Sequence, residues 1–103
     1  MYCLTVTYPK SDETMFDFNY YENSHVPLVK EKYGPFGLQN VVYRKEGGSK
    51  PGGDNLFYAS ADLVFDSLDN MKAALAAAGA EISADIANYT NAKPSVSFAE
   101  VVA

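Results

Sequence analysis

The chain has 103 residues, 48% of them hydrophobic and 20% charged, which are the proportions of one small globular domain rather than a disordered segment. Thirteen acidic residues against eight basic ones give a formal charge of -5, with no run of Lys and Arg to interrupt it, and this argues against a nucleic-acid partner. No stretch approaches the roughly 20 apolar residues that cross a bilayer, Met1-Tyr2-Cys3-Leu4 lacks the marks of a signal peptide, and the lone Cys3 has no internal disulfide partner, so a cytoplasmic protein without membrane contact is expected.

From Tyr2 to Tyr8 large apolar residues alternate with Cys3, Thr5 and Thr7, the period of a β-strand, and Pro9 ends it. Thr14 and Asp17 stand in the relation of a capping box, which predicts a helix from about Met15. In that helix Phe18, Tyr21, His25, Leu28 and Val29 recur at spacings of three and four and form an inward face. Pro27 has no N–H to bond back to the Asn23 carbonyl and biases Val26 away from helical angles, so a kink or a fresh start is expected near His25. Gly34-Pro35 stops the element.

Two further strands are predicted, Leu38 to Glu46 and Leu56 to Phe65, joined by an exposed loop with two Gly-Gly pairs and a proline. Those glycines are followed by no Gly-Lys-Ser/Thr and no helix, so they are not a phosphate loop. Asp66 or Ser67 caps a second helix with a Leu68, Met71, Leu75, Ala78 stripe and a possible stop at Gly79. Ile82, Ile86 and Tyr89 continue at helical spacing, Asn91 to Pro94 turn the chain, and Ser95 to Val102 alternates as a fourth strand.

The order βαββαβ predicts one α+β domain over residues 1–103, ferredoxin-like, with a four-stranded antiparallel sheet and two helices on one face. Large residues are expected on both strand faces, and no third layer is available to cover the second. A homodimer through the sheet face is therefore predicted.

His25, the single histidine, is the one side chain whose ordinary pKa lies near neutrality, and it falls on the inward helix face beside Tyr20 and Tyr21. Tyr8, Tyr43 or Tyr58 is expected to face it across the sheet, and these three with Phe18 and Leu28 of the helix are the candidate ligand-binding residues. Imidazole can move a proton while a tyrosine hydroxyl bonds the oxygen where charge develops. A core histidine satisfied by a carbonyl or a tyrosine accounts for the same pattern, and both readings stay open. Asp85, set between Ile82 and Ile86, is read as a cap or a bond to the turn before the last strand. One His and one Cys give no metal-ligand spacing, and nothing beyond His25 marks a haem pocket, so no metal or other cofactor is expected.

The run Phe16-Asp17-Phe18-Asn19-Tyr20-Tyr21-Glu22-Asn23-Ser24-His25-Val26-Pro27-Leu28-Val29 resembles the first helix of the EthD family, named for a protein of ethyl tert-butyl ether degradation: an aromatic pair, then His-x-Pro-Leu. Ala84-Asp85-Ile86-Ala87-Asn88-Tyr89-Thr90 is similar to the family's segment before the last strand. A tyrosine stands here where many members have tryptophan. The resemblance implies a dimeric α+β barrel with a cavity between sheet and helices, in a superfamily of cyclases, dehydratases, decarboxylases, cofactor-free monooxygenases and haem-degrading enzymes. It also makes His25 the motif histidine and Tyr20-Tyr21 the aromatic pair. Two functions follow: a cofactor-independent acid–base enzyme acting on a largely apolar or aromatic carbonyl compound through His25, or a non-catalytic small-molecule binding or accessory module of an oxygenase system.

Overall fold

A computed structural model describes residues 1–102. Four strands, β1 (Tyr2–Pro9), β2 (Leu38–Gly47), β3 (Phe57–Phe65) and β4 (Ser95–Glu100), form one antiparallel sheet in the order β2-β3-β1-β4. Helices α1 (Phe18–Tyr20) and α2 (Val26–Tyr33), joined by a π-helical turn at Tyr21–His25, follow β1, and α3 (Leu68–Asp85) follows β3. This is the ferredoxin-like α+β arrangement expected from the element order.

Alternation along the strands sorts the side chains into two unlike layers. Leu4, Ala61, Leu63 and Phe65 meet Val29 and Tyr33 of α2 and Met71, Ala74, Ala78 and Ile82 of α3 in one core. Fully burying a chain such as Phe65 or Met71 contributes about 1.5–3 kcal/mol. The buried stripe of α3 thus runs through its alanines, while Leu75 is half-buried and Leu68 is exposed, a rotation away from the stripe predicted above.

The opposite face of the sheet is polar, contrary to the expectation of large residues on both faces. Thr5 Oγ1 donates to Asp62 Oδ1 at 2.8 Å, the Thr7 and Ser60 hydroxyls lie 2.8 Å apart, and Arg44 reaches Asp62 Oδ2 at 3.4 Å. The small residues between the large ones on β1 are what make this ladder.

Two local departures from the sequence reading, and one expectation met, bear on the site. The first helix begins at Phe18, not Met15: Asp17 is its N-cap, accepting from the Tyr20 N–H, while Thr14 is occupied by the Ser11 carbonyl and the Tyr58 hydroxyl. The disturbance expected near Pro27 takes the form of the π-turn, in which the Val26 N–H bonds the Tyr21 carbonyl and α2 restarts with Pro27 in its first turn. Pro27 has no N–H to bond back along the helix, and the switch from α- to π-type bonding falls where that donor is missing. The second departure is at Gly79, which does not end α3; the helix runs six residues further and carries Asp85 into its last position.

Candidate active site

His25 closes the π-turn and points beneath the helix, with 4% of its surface exposed. Asp85 arrives from the opposite direction at the end of α3, and Tyr89 follows after a 3₁₀ turn at Ile86–Asn88. Cross-links fix these two segments to each other. The Asp17 N–H bonds the Tyr89 carbonyl at 2.7 Å, Thr90 Oγ1 donates to the Met15 carbonyl at 2.6 Å, and Asn91 bonds both the Met15 N–H and the Glu13 carbonyl. The approach to the first helix and the approach to β4 are therefore stapled together over the sheet end.

Held in this way, His25 Nδ1 lies 2.9 Å from Asp85 Oδ2. The other carboxylate oxygen accepts from the Tyr20 hydroxyl at 2.7 Å and from Asn88 Nδ2 at 2.9 Å. Partial burial pushes the Asp85 pKa up, but the bonds from Tyr20, His25 and Asn88 outweigh it and the net shift is downward. Burial pushes His25 down, and the bond and charge of Asp85 only partly offset this, so the imidazole is neutral at pH 7. A carboxylate only accepts, so Nδ1 carries the proton and the Nε2 lone pair is left. Among the described residues no group bonds Nε2, and the His25 ring lines the cavity beside it.

That cavity has a volume of about 230 Å³ and lies between the sheet and the helices. Tyr8, Tyr21 and His25 stand at one end; Leu4, Leu63, Tyr33, Leu75 and Phe98 line the other, with Gly79 between. Pro94, Val96 and Phe98 form the wall on the β4 side, where Val96 and Phe98 remain about half exposed. The Tyr8 and Tyr89 hydroxyls are 2.6 Å apart, the Tyr89 ring packs 4.6 Å from the imidazole, and Tyr21 stacks on the imidazole at 5.7 Å while also meeting Tyr89 at 5.3 Å. Burial raises the pKa values of Tyr8, Tyr21 and Tyr89, so all three keep their protons. When Tyr89 donates to Tyr8, the Tyr8 proton is free to point into the cavity.

Of the residues singled out from sequence, His25, Tyr21 and Tyr8 line one cavity. Tyr20 stands behind the imidazole, its hydroxyl committed to Asp85. Phe18, Leu28, Tyr43 and Tyr58 lie outside the lining. Phe18 packs on Phe16 beneath Lys45, Leu28 packs against the core, Tyr43 meets the edge of Tyr21, and the Tyr58 hydroxyl donates to the Thr14 carbonyl. The bond of Asp85 to the turn before the last strand, expected from sequence, is made through Asn88, but sequence reasoning missed its bonds to His25 and Tyr20 and passed over Tyr89 and Tyr33 as site residues. The available signal was an Asp among apolar residues four positions before a tyrosine, in the segment already noted beside the His motif. Among the described residues no group of three or more His, Cys, Asp or Glu could hold a metal ion, and no helix is long and apolar enough to cross a membrane.

The model of the EthD domain matches residues 11–93, which span the first helix, the histidine and the Asp85–Tyr89 segment. The chain belongs to the EthD family. An EthD-like protein from Ralstonia eutropha JMP134 is 36% identical, with 99% of this chain and 92% of that one aligned at a TM-score of 0.86. An ethyl tert-butyl ether degradation (EthD) family protein from Bacillus halodurans C-125 is 21% identical at a TM-score of 0.69, with 99% of each chain covered. A dimeric ferredoxin-like protein from an uncultured marine organism shares the fold at 13% identity and a TM-score of 0.60, over 100% of this chain and 96% of that one. None of the curated proteins matches the chain.

Proposed function

We propose that this EthD protein is a cofactor-independent acid–base catalyst for a small, largely apolar or aromatic carbonyl compound, of cyclase, dehydratase, decarboxylase or isomerase type. The observation that carries the reading is the neutral His25 that lines the cavity, its Nδ1–H held by Asp85 and its Nε2 bonded to no other group among the described residues. An α-proton leaves carbon for Nε2, the carbonyl π bond shifts onto oxygen, and the resulting enolate accepts a hydrogen bond from Tyr8 or Tyr21. The imidazolium so formed sits 2.9 Å from the Asp85 carboxylate, which stabilises it, and then returns its proton to carbon or to a leaving oxygen. Tyr20 and Asn88 act on Asp85 and touch no substrate in this scheme.

The test is exchange of α-protons for solvent deuterium, followed by proton NMR on β-keto esters and alkyl aryl ketones. Wild type accelerates exchange and His25→Gln, checked for native fold by circular dichroism, does not. Equal exchange by both removes His25 from the chemistry. Tight binding without exchange in wild type favours the alternative of a binding or accessory module.

A homodimer through the outer sheet face and a cytoplasmic location belong to the same proposal. The marine neighbour described as dimeric supports the pairing. The Thr5–Asp62–Arg44 ladder makes such an interface a hydrogen-bonded one, and sedimentation of Asp62→Lys against wild type would read its contribution.

A further inference from the structure

Gly79 breaks a run of alanines: Ala76-Ala77-Ala78-Gly79-Ala80 lies in the middle of α3. An interior helix position is where glycine is least favoured, because the unfolded chain gains most freedom from it. Packing does not require it. A Cβ built at Gly79 meets Leu75 at 3.8 Å and the Tyr33 hydroxyl at 3.9 Å, which are ordinary contacts. Alanine would fit, and the helix would be more stable with it. What the missing methyl leaves is room in the cavity that Gly79, Leu75 and Tyr33 all line.

The position of that room matters. Gly79 stands six residues before Asp85, about 9 Å down the helix from the His25–Asp85 pair. Tyr33 lies eight residues beyond His25, about 12 Å along its own helical run. The cavity is thus elongated, with Tyr8, Tyr21 and His25 at one end and Leu4, Leu63, Leu75 and Phe98 around a far half whose one hydroxyl is that of Tyr33. An apolar cavity of about 150 Å³ holds one benzene, so on that scale 230 Å³ holds roughly nine heavy atoms.

We infer that Gly79 is the specificity-determining residue of this cavity, keeping its far half open for the apolar tail of a medium-chain carbonyl compound whose oxygen lies at the His25 end. The inference rests on the carbonyl reading above. Methyl ketones from hexan-2-one to dodecan-2-one, titrated calorimetrically into the wild-type protein, bind about fourfold more tightly per added methylene up to a length limit. In Gly79→Ala that limit falls by one or two carbons, full-length ketones lose about fourfold or more in affinity, and the melting temperature rises by about 4 °C. Gly79→Leu shortens the limit further.

Measuring binding apart from turnover separates the two claims. A shifted limit without His25-dependent exchange refutes the catalytic role of His25 and supports the inference about Gly79. His25-dependent exchange with the same limit in wild type and Gly79→Ala overturns the inference alone. Affinity that climbs through dodecan-2-one with no limit, or no ketone binding at all, also overturns it.

Discussion

Replacing Asp85 by Asn tests the geometry of the site most directly. Three donors converge on the two carboxylate oxygens: the His25 N–H on one, the Tyr20 hydroxyl and Asn88 Nδ2 on the other. An amide offers a single oxygen, so either the His25 N–H or both the Tyr20 hydroxyl and Asn88 Nδ2 face its nitrogen. If the amide nitrogen faces Nδ1, the imidazole must move its proton to Nε2, which removes the base from the cavity. Tyr20 and Asn88 lie on the outer side, where water substitutes for the lost bond. His25 does not, being 4% exposed, and a charge-assisted bond or an unsatisfied buried donor is each worth about 1.5–3 kcal/mol. The expected destabilisation is about 2 kcal/mol, or roughly 8–16 °C in melting temperature for a domain of this size. Urea unfolding reads it as a lower midpoint at unchanged m-value. Exchange activity should fall by about 10²–10⁴, the usual worth of a positioned base. A variant within 0.5 kcal/mol of wild type that exchanges ketone protons at the wild-type rate would show that the Asp85–His25 contact holds nothing, and the reasoning fails.

Acid should destabilise the fold in two steps. Burial holds His25 below its ordinary 6.5 in the native state, so its contribution is complete above that pH and is lost as pH falls from there through the folded value; the depressed Asp85 adds a second loss below its ordinary 3.8. Urea midpoints between pH 8 and 5 should decline in wild type and stay flatter in His25→Gln. Tyr89→Phe removes the bond to Tyr8 and should cost about 1 kcal/mol, with Tyr8→Phe/Tyr89→Phe costing less than the two single changes added, since they share one bond. Ser67→Ala deletes the cap that accepts from the Asn70 N–H, and unfolding should register about 1 kcal/mol lost with exchange activity retained. Gly37→Ala should be worse, because φ is +88° and the new Cβ would collide with the Asp66 carboxylate; a loss under about 1 kcal/mol would mean that the turn relaxes freely.

Much of this architecture is written in short-range patterns. The period-two runs at Tyr2–Tyr8 and Ser95–Glu100, the turn residues between β2 and β3, and the capping Ser67 each depend on a residue and its near neighbours, so order and fold class follow from the chain read locally. The aromatic–His-x-Pro-Leu run likewise marks His25 without reference to anything distant. What faces that histidine could not be read this way. Asp85 is 60 residues away and reaches Nδ1 because α3 continues past Gly79, an outcome decided by packing of Ala74, Ala78 and Ile82 on the sheet and not by the glycine's own propensity. Tyr8 and Tyr89, 81 residues apart, share a hydrogen bond for the same reason. Local sequence chose the elements and the base; only their packing in three dimensions chose the base's partner, the shape of the cavity and which tyrosines look into it.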